Sequence, residues 1–563
     1  MDIFKKEHPY WALFYHHEGF EMDGDKLMGR QAAGNSFLRA LVQDNPNTLG
    51  IYIKNNEQKE LAKKTISAFL TNDQKINISA IPFNRPYDSQ SFGGIFLPGP
   101  SISESSYARG FYSHNQYSIV GITHTTASHN VMSGISDLLT SPVMPWDGVI
   151  CTSEVVADTL NHVINETFNQ LNFYLGASKR QLPQLPVIPL GVHPEDFDYT
   201  DEFKYSSRNK LGIGKEDIVI VYVGRLSFHA KAHHIPMYIA LEEASKSLKK
   251  GKIHLIQTGW FANEFIEKSF KDEADLISPN VKFHFLDGKN QENKHLSLSS
   301  GDIFMSLSDN FQETFGLTPL EGMASGLPVI VSDWNGYKST VRNNIDGFKI
   351  PTYSLNSKSG EQIAYNHMLG FINYDQYIGQ LSQRVAIDID ICIEKLKLLI
   401  NDNNLRHELG ANAKNSASKT FAWNNILSQY RDLSDELDKI RLSSLKEVDI
   451  PKFNLPADRQ NPFSIFNTYP TLVLENDSLL IANKNNHSLS IKEMTNLKSI
   501  NFALDSFPPL NNFFMIEDFI NSNDNFSVND ISKNTKLDID DVKQIVIWLI
   551  KYSFIKMVDE KNE

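Results

Sequence analysis

Short apolar runs alternate with helix-length segments along residues 1–430, and this alternation constrains the fold more than any other feature of the chain. β-Branched runs separated by helical crossovers are typical of parallel sheets covered by helices on both faces. The sequence therefore predicts an α/β fold. The predicted strands are 12–15, 48–53, 76–81, 94–97, 117–124 and 147–153, then 218–223, 253–258, 281–286, 303–307 and 329–332.

The proline-rich segment LPQLPVIP at 182–189 divides these strands into two groups, and strand–helix alternation restarts at Ile218. Beyond Glu447 the pattern changes to a loop-like stretch, followed by Asn-rich sequence with short helical segments. A chain of 563 residues is long enough for several domains of about 100–200 residues each. We predict an N-terminal domain at 1–198, a second domain at 199–447 and an accessory domain at 448–563.

The charge balance limits the classes of partner. The chain has 54 Lys and Arg against 67 Asp and Glu, a formal net charge of −13. This acidic balance argues against a protein that mainly grips nucleic acid or an anionic membrane. Two cysteines, Cys151 and Cys392, cannot build a disulfide framework. With no apolar run of membrane-spanning length and no secretory signal, the sequence predicts a cytoplasmic protein without a transmembrane segment.

Two cations follow the first strand of the second group. The run 218–223 ends in Gly224-Arg225, and Lys231 lies six residues after the arginine. Ligands of open α/β sheets bind outside the carboxyl ends of the strands, where an Arg and a Lys can neutralise a diphosphate. The alternative interpretation is a pair of solvated surface cations.

A longer motif, ETFGLTPLEGMASGLPV at 313–329, follows the predicted strand 303–307. We expect a helix with Thr318 as N-cap and Pro319 in its first position, while Gly316 lets a ligand approach the backbone. A helix N-terminus favours phosphate, and carboxylates accept hydrogen bonds from sugar hydroxyls. The alternatives are that Glu321 only caps its own helix and that Glu313 is a solvated loop carboxylate.

Taken together, these motifs resemble the donor site of retaining GT-B glycosyltransferases of family four. The resemblance also includes VIPLGVH at 187–193, DGF at 346–348, and Leu409-Gly410 with Phe421-Ala422-Trp423, and it covers about residues 185–435. It implies two Rossmann-like doubly wound domains facing a cleft, an acceptor domain at 1–198 and a nucleotide-sugar donor domain at 199–447, plus a small, mostly helical C-terminal domain. It also implies transfer of a sugar, with retention of configuration, from a nucleotide-diphosphate sugar to an unidentified glycan, lipid, small-molecule or protein acceptor.

The resemblance assigns roles residue by residue. Arg225 and Lys231 would neutralise the donor diphosphate, Glu313 would contact the transferred sugar, and Glu321 the ribose. Backbone groups of the motif would hold phosphate and sugar; these are Phe315, Gly316, Leu317 and Thr318. The catalytic set it implies is Glu313, His124, Arg225 and Lys231. The chain departs from the family pattern at DWNGYK, 333–338.

The N-terminal half matches more loosely. Gly29 resembles the family's glycine at the start of its first helix, which would let the backbone approach the donor diphosphate, although Met28 occupies the place of another glycine. His124, at the end of the predicted strand 117–124, resembles the histidine that faces the transferred sugar, the alternative being a core or surface histidine. Ser153 is interpreted as a helix N-cap rather than a nucleophile, because no Gly-x-Ser-x-Gly elbow surrounds it.

We predict neither a metal nor a bound cofactor, the nucleotide sugar being a co-substrate. His229 and His233 are spaced as a helical pair beside His234, but no further ligand pattern supports a metal site. Asp388-Ile389-Asp390 and Asp538-Ile539-Asp540 mimic the Asp-x-Asp of metal-dependent transferases. Both precede amphipathic helical sequence, so they are interpreted as helix-start charges.

Residues 526–557 read helix, turn, helix, strand and resemble a winged-helix module. Residues 451–563 hold 11 Lys and Arg against 15 Asp and Glu, a balance of −4, and the second helix opens with Asp538, Asp540 and Asp541. Acids at that end would repel nucleic-acid phosphates. We therefore predict protein contact or oligomerisation through this domain and no nucleic-acid binding.

Two other functions remain open at this point. The same fold could serve a nucleotide-sugar epimerase or a sugar phosphorylase, of which a glycogen-type phosphorylase would carry a lysine-bound pyridoxal phosphate. A non-catalytic nucleotide-sugar-binding regulator would bind nucleotide sugar, or nothing, without turnover.

Overall fold

A computed structural model of the chain describes residues 5–22, 29–71, 73–444, 455–483 and 489–558. The chain divides into two compact units, Met1–Pro456 and Ala457–Glu563. No helix within the described ranges is both long and apolar enough to span a bilayer.

The first sheet of the larger unit has six parallel strands in the order β3-β2-β1-β4-β5-β6. This is the doubly wound order in which ligands bind where the strand order reverses, here between β1 and β4. The strands are β1 Ala12–Phe14, β2 Thr48–Ile53, β3 Asn77–Pro82, β4 Gly94–Phe96, β5 Ser118–Ile122 and β6 Gly148–Ile150. The helices are α1 Gly29–Gln43, α2 Asn56–Phe69, α3 Ser103–Gly110, α4 His129–Ser136 and α5 Glu154–Leu175.

The second sheet repeats that topology, in the order β9-β8-β7-β10-β11-β12 and again wholly parallel. Its strands are β7 Ile218–Val223, β8 Ile253–Gly259, β9 Val281–Asp287, β10 Ile303–Ser306, β11 Val329–Ser332 and β12 Gly347–Ile350. The helices are α6 Asp201–Lys210, α7 His234–Ser245, α8 Glu264–Ile277, α9 Gln291–Ser300, α10 Leu317–Ala324 and α11 Tyr337–Thr340. The two Rossmann-like sheets confirm the predicted fold class.

A short antiparallel pair and five helices complete the larger unit. They are β13 Thr352–Ser354, α12 Glu361–Met368, α13 Tyr374–Ser382, β14 Val385–Ile387, α14 Ile389–Asn401, α15 Asn403–Thr420 and α16 Trp423–Ser443. The last helix returns to the first sheet. Trp423 Nε1 donates to Ser36 Oγ (2.6 Å), and Arg431 Nη1 lies 2.8 Å from Asp44 Oδ2. The N-terminal half is therefore completed by residues more than 380 positions later in the chain.

Within the larger unit, all eleven predicted strands have an observed counterpart, β1–β11, while β12, β13 and β14 were not predicted. The predicted strands 117–124 and 147–153 are too long, because pairing ends at Ile122 and Ile150 and the following residues turn toward the other domain. The missed strands are only three or four residues long, and three of the six residues of β13 and β14 are exposed, so no apolar run marks them.

The smaller unit is mostly helical with its own apolar core, which includes Phe513, Ile545 and Trp548. Its elements are α17 Pro462–Ile465, β15 Leu480–Ala482, α18 Ile491–Thr495, α19 Lys498–Asn501, α20 Leu510–Ser522, β16 Asn525–Phe526, α21 Val528–Thr535, α22 Ile539–Lys551 and β17 Ile555–Met557. The three strands form an antiparallel sheet in the order β16-β15-β17.

The aspartate pairs that mimic a metal motif are helix starts, as predicted. Asp388 is the N-cap of α14 and accepts a hydrogen bond from Ile391 N–H (3.0 Å). Asp538 is the N-cap of α22 and accepts from Asp540 N–H (2.9 Å). Both carboxylates satisfy donors that a helix leaves unpaired at its first turn.

Candidate functional site

The candidate site lies at the carboxyl edge of the second sheet, where β7 and β10 are neighbours. The chain leaves β7 through Gly224 and Arg225, whose Nη2 donates to Ala230 O at 2.8 Å. Tyr222 OH donates to Arg225 O at 3.1 Å. The segment 224–231 is thereby folded back over the end of its own strand.

Lys231 and Glu313 form an ion pair between the segments that follow β7 and β10. The two side chains are only 18% and 13% exposed. Glu313 is therefore a buried partner of a cation, and its interpretation as a solvated loop carboxylate is wrong. A buried carboxylate is stable only when its charge is compensated, and here Lys231 supplies the compensating charge.

The helix after Glu313 begins earlier than predicted. α10 starts at Leu317, and its N-cap is Gly316 with φ +93°. Thr318 as N-cap is thus wrong, because a left-handed glycine already turns the chain into the helix one step before Leu317. A Cβ on Gly316 would lie 2.2 Å from Cε1 of Tyr337, so the backbone rests directly on that buried ring. The motif residues Phe315–Thr318 therefore form a tight turn at a helix start.

Glu321 does not cap its own helix. Its Oε1 lies 2.7 Å from Nζ of Lys294 on α9, and the Lys294 ammonium is 5.6 Å from the centroid of the Phe197 ring. Glu321 is therefore part of a second largely buried cation–carboxylate pair, in which both side chains are less than 20% exposed. Lys294 was not predicted, because nothing in the sequence around it signals a partner 27 residues later.

The loop before α10 also contacts the first domain. Thr314 Oγ1 donates to His124 O (3.0 Å), and Ser153 Oγ donates to Thr314 O (2.9 Å). Ser153 does occupy the N-cap position of α5, as predicted, but its hydroxyl makes no cap hydrogen bond. Its hydroxyl instead joins the two domains at the residue next to Glu313.

His124 lies just beyond β5, and burial lowers the pKa of its imidazole to about 4. The ring is consequently neutral near pH 7 and can act as a hydrogen-bonding group rather than a cation. It lines a cavity together with Arg30 of α1. Gly29, the first residue of α1, is exposed, and a Cβ there would meet no protein atom within 4 Å. Met28 lies outside the described residues.

Three polar side chains after β10 hydrogen-bond the backbone of residues 229–233, beside Lys231, and were not predicted as site residues. Asn310 Nδ2 donates to His229 O (2.9 Å), and Gln312 Nε2 donates to Ala230 O (2.7 Å). Asp309, only 4% exposed, accepts from His233 N–H (3.3 Å), and burial raises the pKa of its carboxyl to about 7. Polar residues directly after a buried strand, here Ser308 to Gln312, were the available signal.

The histidine cluster is not a helical pair. His233 is the N-cap of α7, where its Nδ1 accepts from Ile235 N–H (3.4 Å), and His229 precedes the helix. His234 Nε2 lies 2.5 Å from Glu273 Oε2, and burial lowers the pKa of all three imidazoles. Across the ranges that the structure describes, no group of three or more His, Cys, Asp or Glu is arranged to hold a metal.

The segment 333–338, where the chain departs from the family pattern, packs against the loop that carries Glu313. Trp334 Nε1 donates to Asn310 O (3.0 Å), and Gly336 N–H donates to Glu313 O (3.1 Å). Tyr337 is fully buried beneath Gly316, with its hydroxyl 2.9 Å from Ser306 Oγ. This segment thus fixes the position of Glu313 through backbone contacts.

Comparisons with known proteins agree with this location. Residues 203–363 match the family described as glycosyl transferases group 1. The chain is 29% identical over 188 residues to alpha-monoglucosyldiacylglycerol synthase of Streptococcus pneumoniae, covering 33% of this chain and 37% of that protein. It is 22% identical over 248 residues to an uncharacterised glycosyltransferase of Methanocaldococcus jannaschii, covering 44% and 52%. The chain thus spans about half or less of the length of these curated relatives.

Among solved structures, the Rickettsia africae glycosyltransferase aligns over 77% of this chain and 99% of its own, with 15% identity and a TM-score of 0.47. Arg225, Lys231, Glu313 and Glu321 all lie inside the segment that the family comparison covers. Residues 203–363 thus match the glycosyl transferases group 1 family, and the two buried cation–carboxylate pairs lie within that match, on a fold of two Rossmann-like domains.

Proposed function

We propose that this chain transfers a sugar from a nucleotide-diphosphate sugar to an acceptor hydroxyl, with retention of anomeric configuration and without a metal ion. The observation that carries the proposal is the Lys231–Glu313 pair, buried at the carboxyl edge of the second sheet on a loop that contacts the first domain. The match of residues 203–363 to glycosyl transferases supports it.

Binding of the nucleotide sugar would replace the contact between Lys231 and Glu313 with contacts from each side chain to the ligand. Its diphosphate takes Lys231 and Arg225, and its sugar hydroxyls donate to the Glu313 carboxylate that the lysine releases. Glu321, already fixed by Lys294, accepts hydrogen bonds from the ribose. Each charged side chain of the site would thereby keep a partner of opposite charge or a hydrogen-bonding group when the nucleotide sugar binds.

In the transfer itself, the bond from the anomeric carbon to the leaving phosphate oxygen breaks as the acceptor oxygen bonds to that carbon on the same face. The acceptor proton passes to the leaving phosphate, so no side chain is assigned as nucleophile. Arg225 and Lys231 stabilise the charge that grows on the diphosphate, which is the contribution a metal makes in other transferases. Neutral His124 would hydrogen-bond the transferred sugar.

The test is nucleotide release from UDP-, GDP- and ADP-sugars, with and without acceptors, in the presence of EDTA. Glu313→Ala and Arg225→Ala should each lower kcat/KM at least about 100-fold, the loss typical of removing one transition-state contact. Glu292→Gln, an exposed carboxylate of α9, is the matched control and should retain activity. Full activity in both site variants would refute the assignment, and loss of all release in EDTA would refute metal independence.

For the smaller unit we propose a winged-helix-like accessory role in protein contact, without nucleic-acid binding. Its helices α20, α21 and α22 and its three-stranded sheet support this proposal, as do the acids at the start of α22. We also propose a cytoplasmic location, with which the two free, buried thiols of Cys151 and Cys392 agree.

A further inference from the structure

A cavity of about 250 Å³ lies at the carboxyl ends of β1, β4 and β5, between α1 and α16. Arg30, Ala33, Gly34 and Phe37 line it from one face of α1. Pockets that bind small molecules are concave and mostly apolar, with a few polar groups that orient the ligand. A cavity of this size next to a proposed active site therefore suggests a site for a ligand.

The deep wall of this cavity is aromatic. The Phe37 ring centroid lies 5.4 Å from that of Phe96, 5.5 Å from that of Trp423 and 5.2 Å from that of Tyr430. The indole N–H of Trp423 is already bonded to Ser36 Oγ, so it has no hydrogen to offer an occupant. This wall can recognise an apolar group by contact but offers little to a sugar ring rich in hydroxyls.

The mouth of the cavity is polar and adjoins the proposed transfer site. Four charged or imidazole side chains line the cavity, those of His16, Glu18, Arg30 and His124. The carbonyl oxygen of His124 accepts the hydrogen bond from Thr314, the residue next to Glu313. A molecule with its apolar end against Phe37 would thus carry its polar end toward the sugar of the donor.

We infer that this cavity binds an apolar group, a ring or a short chain, which the acceptor carries next to the hydroxyl that receives the sugar. The inference names the acceptor class and rests on the proposed function. The volume lies just below the roughly 300–1,000 Å³ of sites that hold whole drug-sized ligands. It suits one such group, while the rest of the acceptor lies at the polar mouth.

Binding of simple glycosides to the full chain tests the inference without knowledge of the natural acceptor. The probes are 2-naphthyl, n-hexyl and methyl β-D-glucoside, titrated by calorimetry in the presence of whichever of UDP, GDP or ADP stabilises the chain. The naphthyl or the hexyl glucoside should bind at least tenfold more tightly than the methyl glucoside. The comparison of the two tells whether a ring or a chain is preferred.

Ala33 offers a way to fill the cavity from α1, where it is buried in the wall. Ala33→Phe should abolish the tenfold preference, and the smaller Ala33→Val should reduce it. Ala32→Phe, one residue away on the same helix and outside the lining, is the matched control and should keep it. A thermal shift on adding the nucleotide shows for each variant that the fold and the donor site are intact.

Two results would overturn the inference: equal affinity for all three glucosides, or an unchanged preference in a folded Ala33→Phe chain. The proposed function fails separately, if no nucleotide is released from any nucleotide sugar. In that outcome, tight and Ala33-dependent binding of the naphthyl glucoside would still establish an apolar ligand pocket, but not an acceptor pocket.

Discussion

At the scale of single residues, the Lys231–Glu313 pair couples stability to function. Both side chains are largely buried, so removing one leaves an uncompensated charge rather than a harmless gap. The same pairing keeps the lysine and the carboxylate in position before a donor arrives. The site is thus organised by the same groups that the nucleotide sugar would use.

A double-mutant cycle measures this coupling. Lys231→Gln and Glu313→Gln should each lower the free energy of unfolding by about 1–3 kcal/mol, because each leaves a buried partner unpaired. The double variant should recover part of that loss, since two amides can bond to each other without a buried charge. Urea unfolding measures the three values, and simple additivity would contradict the argument. Activity should stay low in all three variants.

Asp309 gives the molecule a pH-dependent stability. Burial raises the pKa of its carboxyl from 3.8 to about 7, so between these pH values the folded chain holds a proton that the unfolded chain releases. The contribution of the protonated Asp309 carboxyl to the free energy of unfolding is therefore fully present below about pH 4 and is lost as the pH rises toward 7. Asp309→Asn removes the proton exchange, so the variant should gain stability relative to the wild type as the pH rises from 4 to 8.

Chemical unfolding of both proteins at each pH measures that difference, which should amount to a few kcal/mol across the range. Asp390→Asn, an aspartate in the first turn of α14 away from this loop, is a suitable control and should show no such rise. A stability difference that is the same at pH 4 and pH 8 would contradict the raised pKa.

At the scale of elements, the start of α10 fixes the positions of the backbone groups of Phe315–Thr318. Gly316 and Gly326 both have positive φ, +93° and +79°, at opposite ends of this helix. Only Gly316 also packs against a ring, because a Cβ on Gly326 would meet nothing closer than 3.8 Å. The two glycines therefore separate backbone strain from steric conflict.

Gly326→Ala should cost about 1–2 kcal/mol from the left-handed backbone alone and leave the KM for the donor unchanged. Gly316→Ala adds the clash with Tyr337, so it should cost more and should raise that KM by displacing Phe315 and Leu317. Thermal unfolding and steady-state kinetics on both variants provide the comparison. Equal effects on KM would show that α10 does not need this close approach.

The sequence predicted this element but not its register. Thr318, Pro319 and Glu321 are spaced as a capping box, and local pattern alone favours a start at Thr318. The observed start depends on Tyr337, which follows β11 and lies under Gly316, a contact that no local pattern contains. Lys294 was missed for the same reason, since its partner lies on another helix.

At the scale of the whole molecule, α16 belongs by sequence to the second half but by packing to the first. Its Tyr430 is buried among Phe37 and Phe96, and Lys6 Nζ donates to Ser434 Oγ (2.9 Å). The smaller unit has its own core and its own sheet. The position of α16 in the sequence therefore does not show which sheet the helix packs against.

Two truncations test that division. A chain of residues 1–456 should unfold cooperatively and retain nucleotide release, because it keeps every element of the larger unit. A chain of residues 1–422 should expose the apolar face of the first domain and should aggregate or lose its cooperative transition, because α16 is gone. Calorimetry and nucleotide release distinguish them. Equal stability of the two chains would contradict the role of α16.

By itself, the sequence determined the α/β class, eleven of the strands, and the two segments that carry Arg225, Lys231, Glu313 and Glu321. It could do so because strand burial, helix starts and glycine turns leave local patterns within a few residues. The tertiary structure alone decided which charges pair, where α10 begins, that Ser153 joins the domains, and that α1 and α16 enclose an aromatic cavity. Those features depend on contacts between residues far apart in the chain, and such contacts leave no periodic signal along it.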